Sequence, residues 1–141
     1  MKIVIDANII VALALPLPYS DAATEKIREW QEQEVEIVVP TLWHYECVST
    51  LRKALVLNII SSEEVSEALQ NIFSLGIKDI PPTVHLHQKA MEWASRLNQT
   101  VAYDAAYLAL AEHLDSDFWT ADTKLFKAAD DEDLTWVRLI S

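Results

Sequence analysis

The sequence predicts an α/β fold with a central parallel sheet covered by helices on both faces. Three observations predict it. Short apolar, β-branched runs alternate with segments of helical period along the whole chain. No repeat, linker or low-complexity tract interrupts that alternation, and 141 residues is a common size for one domain, so 1–141 reads as a single domain. Half of the residues are apolar (51%), enough to bury a core in a chain of this length.

Lys2–Asp6 is a β-branched run and reads as a buried strand. Asn8–Leu15 has helical character and must stop before Pro16 and Pro18. Ser20 is a good N-cap for an amphipathic helix reaching about Gln33. Val35–Val39 is a second strand, closed by Pro40. Thr41 can cap a helix running to about Asn58. Ser61 and Glu64 have capping-box spacing for a helix that ends near Gly76. Ile77–Ile80 is a third strand, stopped by Pro81 and Pro82. Thr83–Asn98 is helical in period, and Ala102–Leu114 is a very apolar helix. Asp117–Thr120 is a short strand, Thr123–Ala129 a short helix and Thr135–Ile140 a last strand.

Composition excludes several classes. The single glycine, Gly76, rules out a P-loop and a dinucleotide fingerprint, both of which need several glycines to bring backbone close to phosphate. The single cysteine, Cys47, rules out an internal disulfide and any zinc motif built on paired cysteines, and fits a reducing compartment. No apolar run is long enough to span a bilayer, and the first residues lack a signal-peptide pattern. The expected location is the cytoplasm. The net charge of −11 argues against gripping nucleic acid by electrostatics alone, and it favours a basic protein partner.

Four acids stand out by position. Asp6 closes the first strand and Asp122 follows the strand ending at Thr120. In a parallel sheet both would lie at the carboxyl edge, where ligands bind. Glu46 lies on the border of the apolar arc formed by Trp43, Cys47, Leu51 and Ala54. Asp104 opens an almost wholly apolar helix, sharing a face with Tyr107, Leu108 and Ala111. Each has an ordinary alternative. Asp6, Asp104 and Asp122 could be caps or first-turn acids, and Glu46 a solvated helix residue. Together they are hard oxygen donors suited to Mg²⁺ or Mn²⁺, and held close they would need a cation between them.

The pieces Ile3-Val4-Ile5-Asp6-Ala7-Asn8, Glu46 in His44–Val48, Tyr103–Ala111 and Trp119-Thr120-Ala121-Asp122 together resemble the PIN-domain family. Within it they are similar to the VapC-type toxins of toxin–antitoxin pairs. The resemblance covers essentially the whole chain. It implies a three-layer α/β/α domain and a metal-dependent endoribonuclease that hydrolyses RNA, is restrained by a cognate antitoxin and forms a homodimer. It also implies that Asp6, Glu46, Asp104 and Asp122 bind Mg²⁺ or Mn²⁺, and that Asn8 and Thr120 orient the carboxylates. The helical pair Thr41–Leu75 is the expected dimer surface on the same ground.

Arg52, Lys53, Lys124 and Lys127 follow two of the acids by one or two turns and are candidate RNA-phosphate contacts; the alternative is ordinary solvated helix residues. His85 and His87 are two apart at a helix start and do not face each other, which speaks against a metal pair. Cys47 and the five tryptophans fit the core, and Asp130–Asp133 reads as a solvated loop. Two rival functions remain. One is an Asp-nucleophile phosphatase using Asp6, although Asn8 stands where such enzymes want a second acid. The other is an inactive domain of this fold that only holds a partner.

Overall fold

The computed structural model describes residues 1–141. Five strands form one all-parallel sheet: β1 (Lys2–Ile5), β2 (Glu36–Pro40), β3 (Lys78–Ile80), β4 (Asp117–Thr120) and β5 (Val137–Leu139). The helices between them are α1 (Ala7–Val11), α2 (Ser20–Glu32), α3 (Leu42–Val56), α4 (Ser62–Phe73), α5 (Val84–Arg96), α6 (Tyr103–His113) and α7 (Thr123–Asp131). None is long and apolar enough to cross a membrane. The result is the expected three-layer α/β/α arrangement.

The strand order is β3-β2-β1-β4-β5. The chain therefore winds one way from β1 to β2 and β3, then returns to β1 and winds the other way through β4 and β5. The reversal falls between β1 and β4, where Val4 pairs with Phe118 and Ile5 with Trp119. An open parallel sheet leaves a crevice beyond the strand ends at such a point.

Burial follows the sequence pattern. Ile3, Val4 and Ile5 are buried on both faces, as a central parallel strand requires. α6 packs across β1, β2 and β4 and against α5. Its residues Ala105 and Tyr107–Ala111 are all buried, which explains why that helix is apolar almost all round. Cys47 is buried in the core, as are Trp30, Trp43 and Trp93; Trp119 and Trp136 are half-buried against it.

Several local expectations need correction. α1 ends at Val11 instead of reaching Leu15; Leu13 and Ala14 close turns on Ile10 and Val11 ahead of Pro16. Ser20 does not cap α2. Its hydroxyl donates to the Leu15 carbonyl at 2.6 Å and accepts from the Leu17 amide at 2.8 Å, which fastens the proline-bearing turn. Thr41 makes no side-chain cap either, because its hydroxyl is drawn to Asp79 on β3's strand at 2.7 Å. The Asp130–Asp133 run is not all loop, since α7 continues to Asp131. The Ser61–Glu64 capping box is present in both directions, and α4 stops at Phe73, ahead of Gly76 in left-handed conformation (φ +76°).

Candidate active site

Asp6 is the first residue beyond β1 and the only buried acid of the chain. Its backbone amide still completes the ladder to Trp119 at 2.9 Å, so its position is fixed by the sheet itself. Thr120, fully buried at the end of β4, donates its hydroxyl to Asp6 Oδ2 at 2.9 Å. Thr120 Oγ1 also accepts from the Asp122 amide at 3.0 Å and from Asn8 Nδ2 at 3.4 Å. Asn8 Oδ1 in turn accepts the Ala121 amide at 3.1 Å. Thr120 thus orients Asp6 directly. The Asn8 side chain bonds no carboxylate and holds Thr120 and the loop after β4, while the Asn8 backbone amide favours the ionised form of Asp6.

Asp122 is both a site residue and a cap. Its Oδ1 accepts from the amides of Lys124 (2.9 Å) and Leu125 (3.1 Å), so the ordinary role read from sequence is real. This cap anchors the carboxylate beside the β1–β4 crevice. Glu46 is half-buried on α3 and accepts the Tyr107 hydroxyl at 2.5 Å. Asp104 lies in the first turn of α6, where Gln99 Nε2 donates to its Oδ2 at 3.2 Å.

Electrostatics ties the acids into one group. Burial pushes Asp6 up from 3.8 to about 7, against the Thr120 hydrogen bond, and repulsion from Glu46 and Asp104 adds to it. Burial also raises Glu46, with Asp104 adding to the rise. Asp104 is raised by burial and then by Asp122. Tyr107 is pushed up by burial and by Asp6 and Glu46, and Tyr19 by burial and then by Asp6 and Asp122. The four predicted acids are therefore linked by mutual repulsion near the strand reversal, and the Tyr107 and Tyr19 hydroxyls donate to Glu46 and to the Asn8 carbonyl beside them.

The donor set fits a hard divalent cation in type and charge: carboxylate oxygens, no thiolate, no imidazole. The raised affinities of three acids for protons are what a cation between them would reverse. No three of these side chains stand in ligand geometry around a common point in this structure. One oxygen of each carboxylate is instead engaged by a neutral donor, as just described.

Sequence reading missed Tyr107, Gln99 and Tyr19. Tyr107 was placed on the face of Asp104, and a buried tyrosine needs a partner for its hydroxyl; that was the available signal. Gln99 and Tyr19 lie in or beside turns and gave none. Arg52, Lys53, Lys124 and Lys127 are all exposed on α3 and α7. His85 and His87 do not meet; the His85 ring lies against His113 of α6, with centroids 5.8 Å apart.

A family model described as "PIN domain" matches residues 4–135. The chain belongs to the PIN-domain family. Among curated relatives of this PIN domain, "Ribonuclease VapC3" of Pyrobaculum aerophilum is 30% identical over 130 residues, covering 89% of this chain and 92% of the relative. "Ribonuclease VapC12" of Mycobacterium tuberculosis is 32% identical over 123 residues, covering 87% and 88%. Solved structures share the PIN fold: PAE2754 from Pyrobaculum aerophilum has a TM-score of 0.70 at 19% identity, covering 99% of this chain and 84% of that one. VapBC2 from Rickettsia felis, bound to a DNA fragment from its promoter, gives 0.67 at 15% identity, covering 99% and 97%.

Proposed function

We propose that this PIN domain is an endoribonuclease that hydrolyses RNA phosphodiester bonds and serves as the toxin of a toxin–antitoxin pair. What supports the chemistry is the mutual repulsion that links Asp6, Glu46, Asp104 and Asp122 near the β1–β4 reversal, with three of them raised toward the protonated form. The ribonuclease assignment draws on the curated relatives, which are named ribonucleases and align over most of both chains. The whole of residues 1–141 acts as one domain in this reading.

Asp6, Glu46, Asp104 and Asp122 would hold Mg²⁺ or Mn²⁺, which when bound polarises the phosphate and activates water. The protein's own groups do the positioning. Thr120 and Asn8 fix Asp6 against the end of the sheet, Tyr107 aims Glu46, and Gln99 restrains Asp104. The strand residues leading to the site, Ile3–Ile5 and Phe118, are buried and apolar, so Asp6 stands at the end of a dry core.

The proposed partners are RNA, a cognate antitoxin and a second copy of the chain, in the cytoplasm. The antitoxin rests on the VapBC neighbours and on the net charge of −11, which suits a basic segment entering the acidic pocket. The homodimer draws on a groove of about 670 Å³ lined by α5 and α6, with Met91, Val101 and Tyr103 exposed along it; of the expected Thr41–Leu75 surface only Thr41 and Leu42 line this groove.

The test is incubation of purified protein with structured RNAs in Mg²⁺, Mn²⁺ or chelator, alongside Asp6→Asn. Metal-dependent cleavage lost in Asp6→Asn is the expected result. Phosphate release from small phosphoesters without RNA cleavage would favour the phosphatase. Inactivity on every substrate with tight capture of a basic partner would favour the binding module. Failure of the neighbouring antitoxin gene to suppress growth arrest would remove the toxin assignment.

A further inference from the structure

The His85 ring meets His113, far along the chain, and the packing of two helices builds this contact. α5 begins at Val84, where the Thr83 hydroxyl accepts the Leu86 amide at 3.1 Å and fixes the first turn that carries His85. α6 ends at His113, where the Leu114 amide still bonds back to the Leu110 carbonyl at 3.0 Å. The start of one helix therefore lies beside the end of the other. Lys89 of α5 and Glu112 of α6 cross the same boundary at 2.7 Å, one turn from His85 and next to His113. That ion pair and the packed helices hold the backbones that bear the two rings.

Both histidines are exposed. Neither forms an ion pair; the histidine that approaches an acid is His44. Their ring centroids are 5.8 Å apart, with the planes at 65°. Zinc bonds an imidazole nitrogen at about 2.0–2.1 Å, which puts the ion about 3.2 Å from each ring centre. Two such rings at a tetrahedral angle have centres about 5.2 Å apart. The observed spacing exceeds that by about 0.6 Å, a difference that small side-chain rotations at exposed positions can close. No third His, Cys, Asp or Glu joins the pair, so water would complete the shell and the ion would exchange. Two features favour a cation here. The pair lies at the carboxyl end of α6, where unpaired carbonyls carry partial negative charge. The net charge of −11 also draws cations to the chain.

We propose that His85 and His113 form an exchangeable zinc site that ties the start of α5 to the end of α6. Imidazole is a borderline donor that suits Zn²⁺ and leaves Mg²⁺ and Mn²⁺ to carboxylates. The site is separate from the four acids: His113 lies nine residues beyond Asp104, about 13 Å along α6. It does not depend on the nuclease reading, and it gives the molecule a second ion of a different class.

Isothermal titration calorimetry tests it, with Zn²⁺ added to the full chain in excess Mg²⁺, which occupies the carboxylates. The wild type should take up one Zn²⁺ per chain. Losing a group that merely supports a metal ligand costs about 10-fold in affinity or more, so His85→Gln and His113→Gln should each cost at least that. His87→Gln should leave the affinity unchanged, and so should Asp6→Asn. A second readout replaces zinc by Cu²⁺: electron paramagnetic resonance should show two imidazole nitrogens on the ion in the wild type and one in either single variant. Absence of Zn²⁺ uptake by the wild type overturns the site. So does uptake that survives both single variants, falls equally in His87→Gln or disappears in Asp6→Asn, and so does a wild-type Cu²⁺ spectrum with fewer than two nitrogens.

Discussion

Replacing Asp6 by Asn should make the metal-free protein more stable at pH 8, although it removes a central polar residue. Asp6 takes up a proton near pH 7 in the folded protein, against 3.8 for a free carboxyl. That gap corresponds to about 4 kcal/mol at about 1.4 kcal/mol per unit. Its sign follows from proton uptake. Between pH 4 and 7 the folded state binds more protons at this site than the unfolded chain, so stability falls as pH rises. Above pH 7 the full penalty is present, and below pH 4 none remains. Asn cannot ionise, keeps an oxygen for the Thr120 hydroxyl and escapes repulsion from Glu46 and Asp104. Thermal unfolding followed by circular dichroism, in chelator from pH 5 to 8, should show Asp6→Asn melting roughly 10 °C above wild type at pH 8 for a domain of this size. The gap should shrink to under half by pH 5 and vanish only below pH 4. Saturating Mn²⁺ should raise the wild type and leave the variant nearly unmoved. A variant less stable than wild type at pH 8, or a gap that ignores pH, would refute the reasoning.

Other outcomes follow from single contacts. Tyr107→Phe removes the hydrogen bond that aims Glu46 while keeping the buried ring stacked on Phe118, so Mn²⁺ affinity measured by calorimetry should fall about 10-fold or more with little change in melting temperature. Thr120→Val leaves Asp6, Asn8 and the Asp122 amide short of a partner in a buried setting; denaturant unfolding should show a loss of about 2–4 kcal/mol, whereas Thr120→Ser should cost far less. Ser61→Ala opens the capping box of α4 and should cost about 1 kcal/mol in the same assay, with no effect on RNA cleavage.

Much of this architecture was legible from residue pattern. β1 and α6 read correctly because central strands and buried helices are apolar on every side, and that signal survives any tertiary context. The strand-end positions of Asp6 and Asp122 then followed from parallel-sheet geometry. Errors fell at the ends of α1 and α7 and at the starts of α2 and α3. Ser20 and Thr41 are the residue types that cap helices, yet both hydroxyls were claimed by partners outside their helices: the Leu15 carbonyl and Asp79. A competition between hydrogen-bond partners distant in sequence leaves no trace in a local window. The same limit hid Tyr107 as the donor to Glu46, a contact between residues 61 positions apart. Glu46 itself was on the correct border of α3, but only its tertiary partner tells it from a solvated side chain.

The Thr120 hydroxyl also decides where a proton must reside. It has one hydrogen and two lone pairs, and both lone pairs face groups that can only donate: the Asp122 amide and Asn8 Nδ2, itself oriented by the Ala121 amide. The hydrogen must therefore point at Asp6 Oδ2, which is left as an acceptor. As Asp6 takes up its proton near pH 7, that proton belongs on Oδ1, the oxygen that accepts no side-chain hydrogen bond. Loading the pocket at neutral pH then expels that proton into solution. Metal uptake by this domain should acidify a weakly buffered sample, and Asp6→Asn should abolish that share of the release.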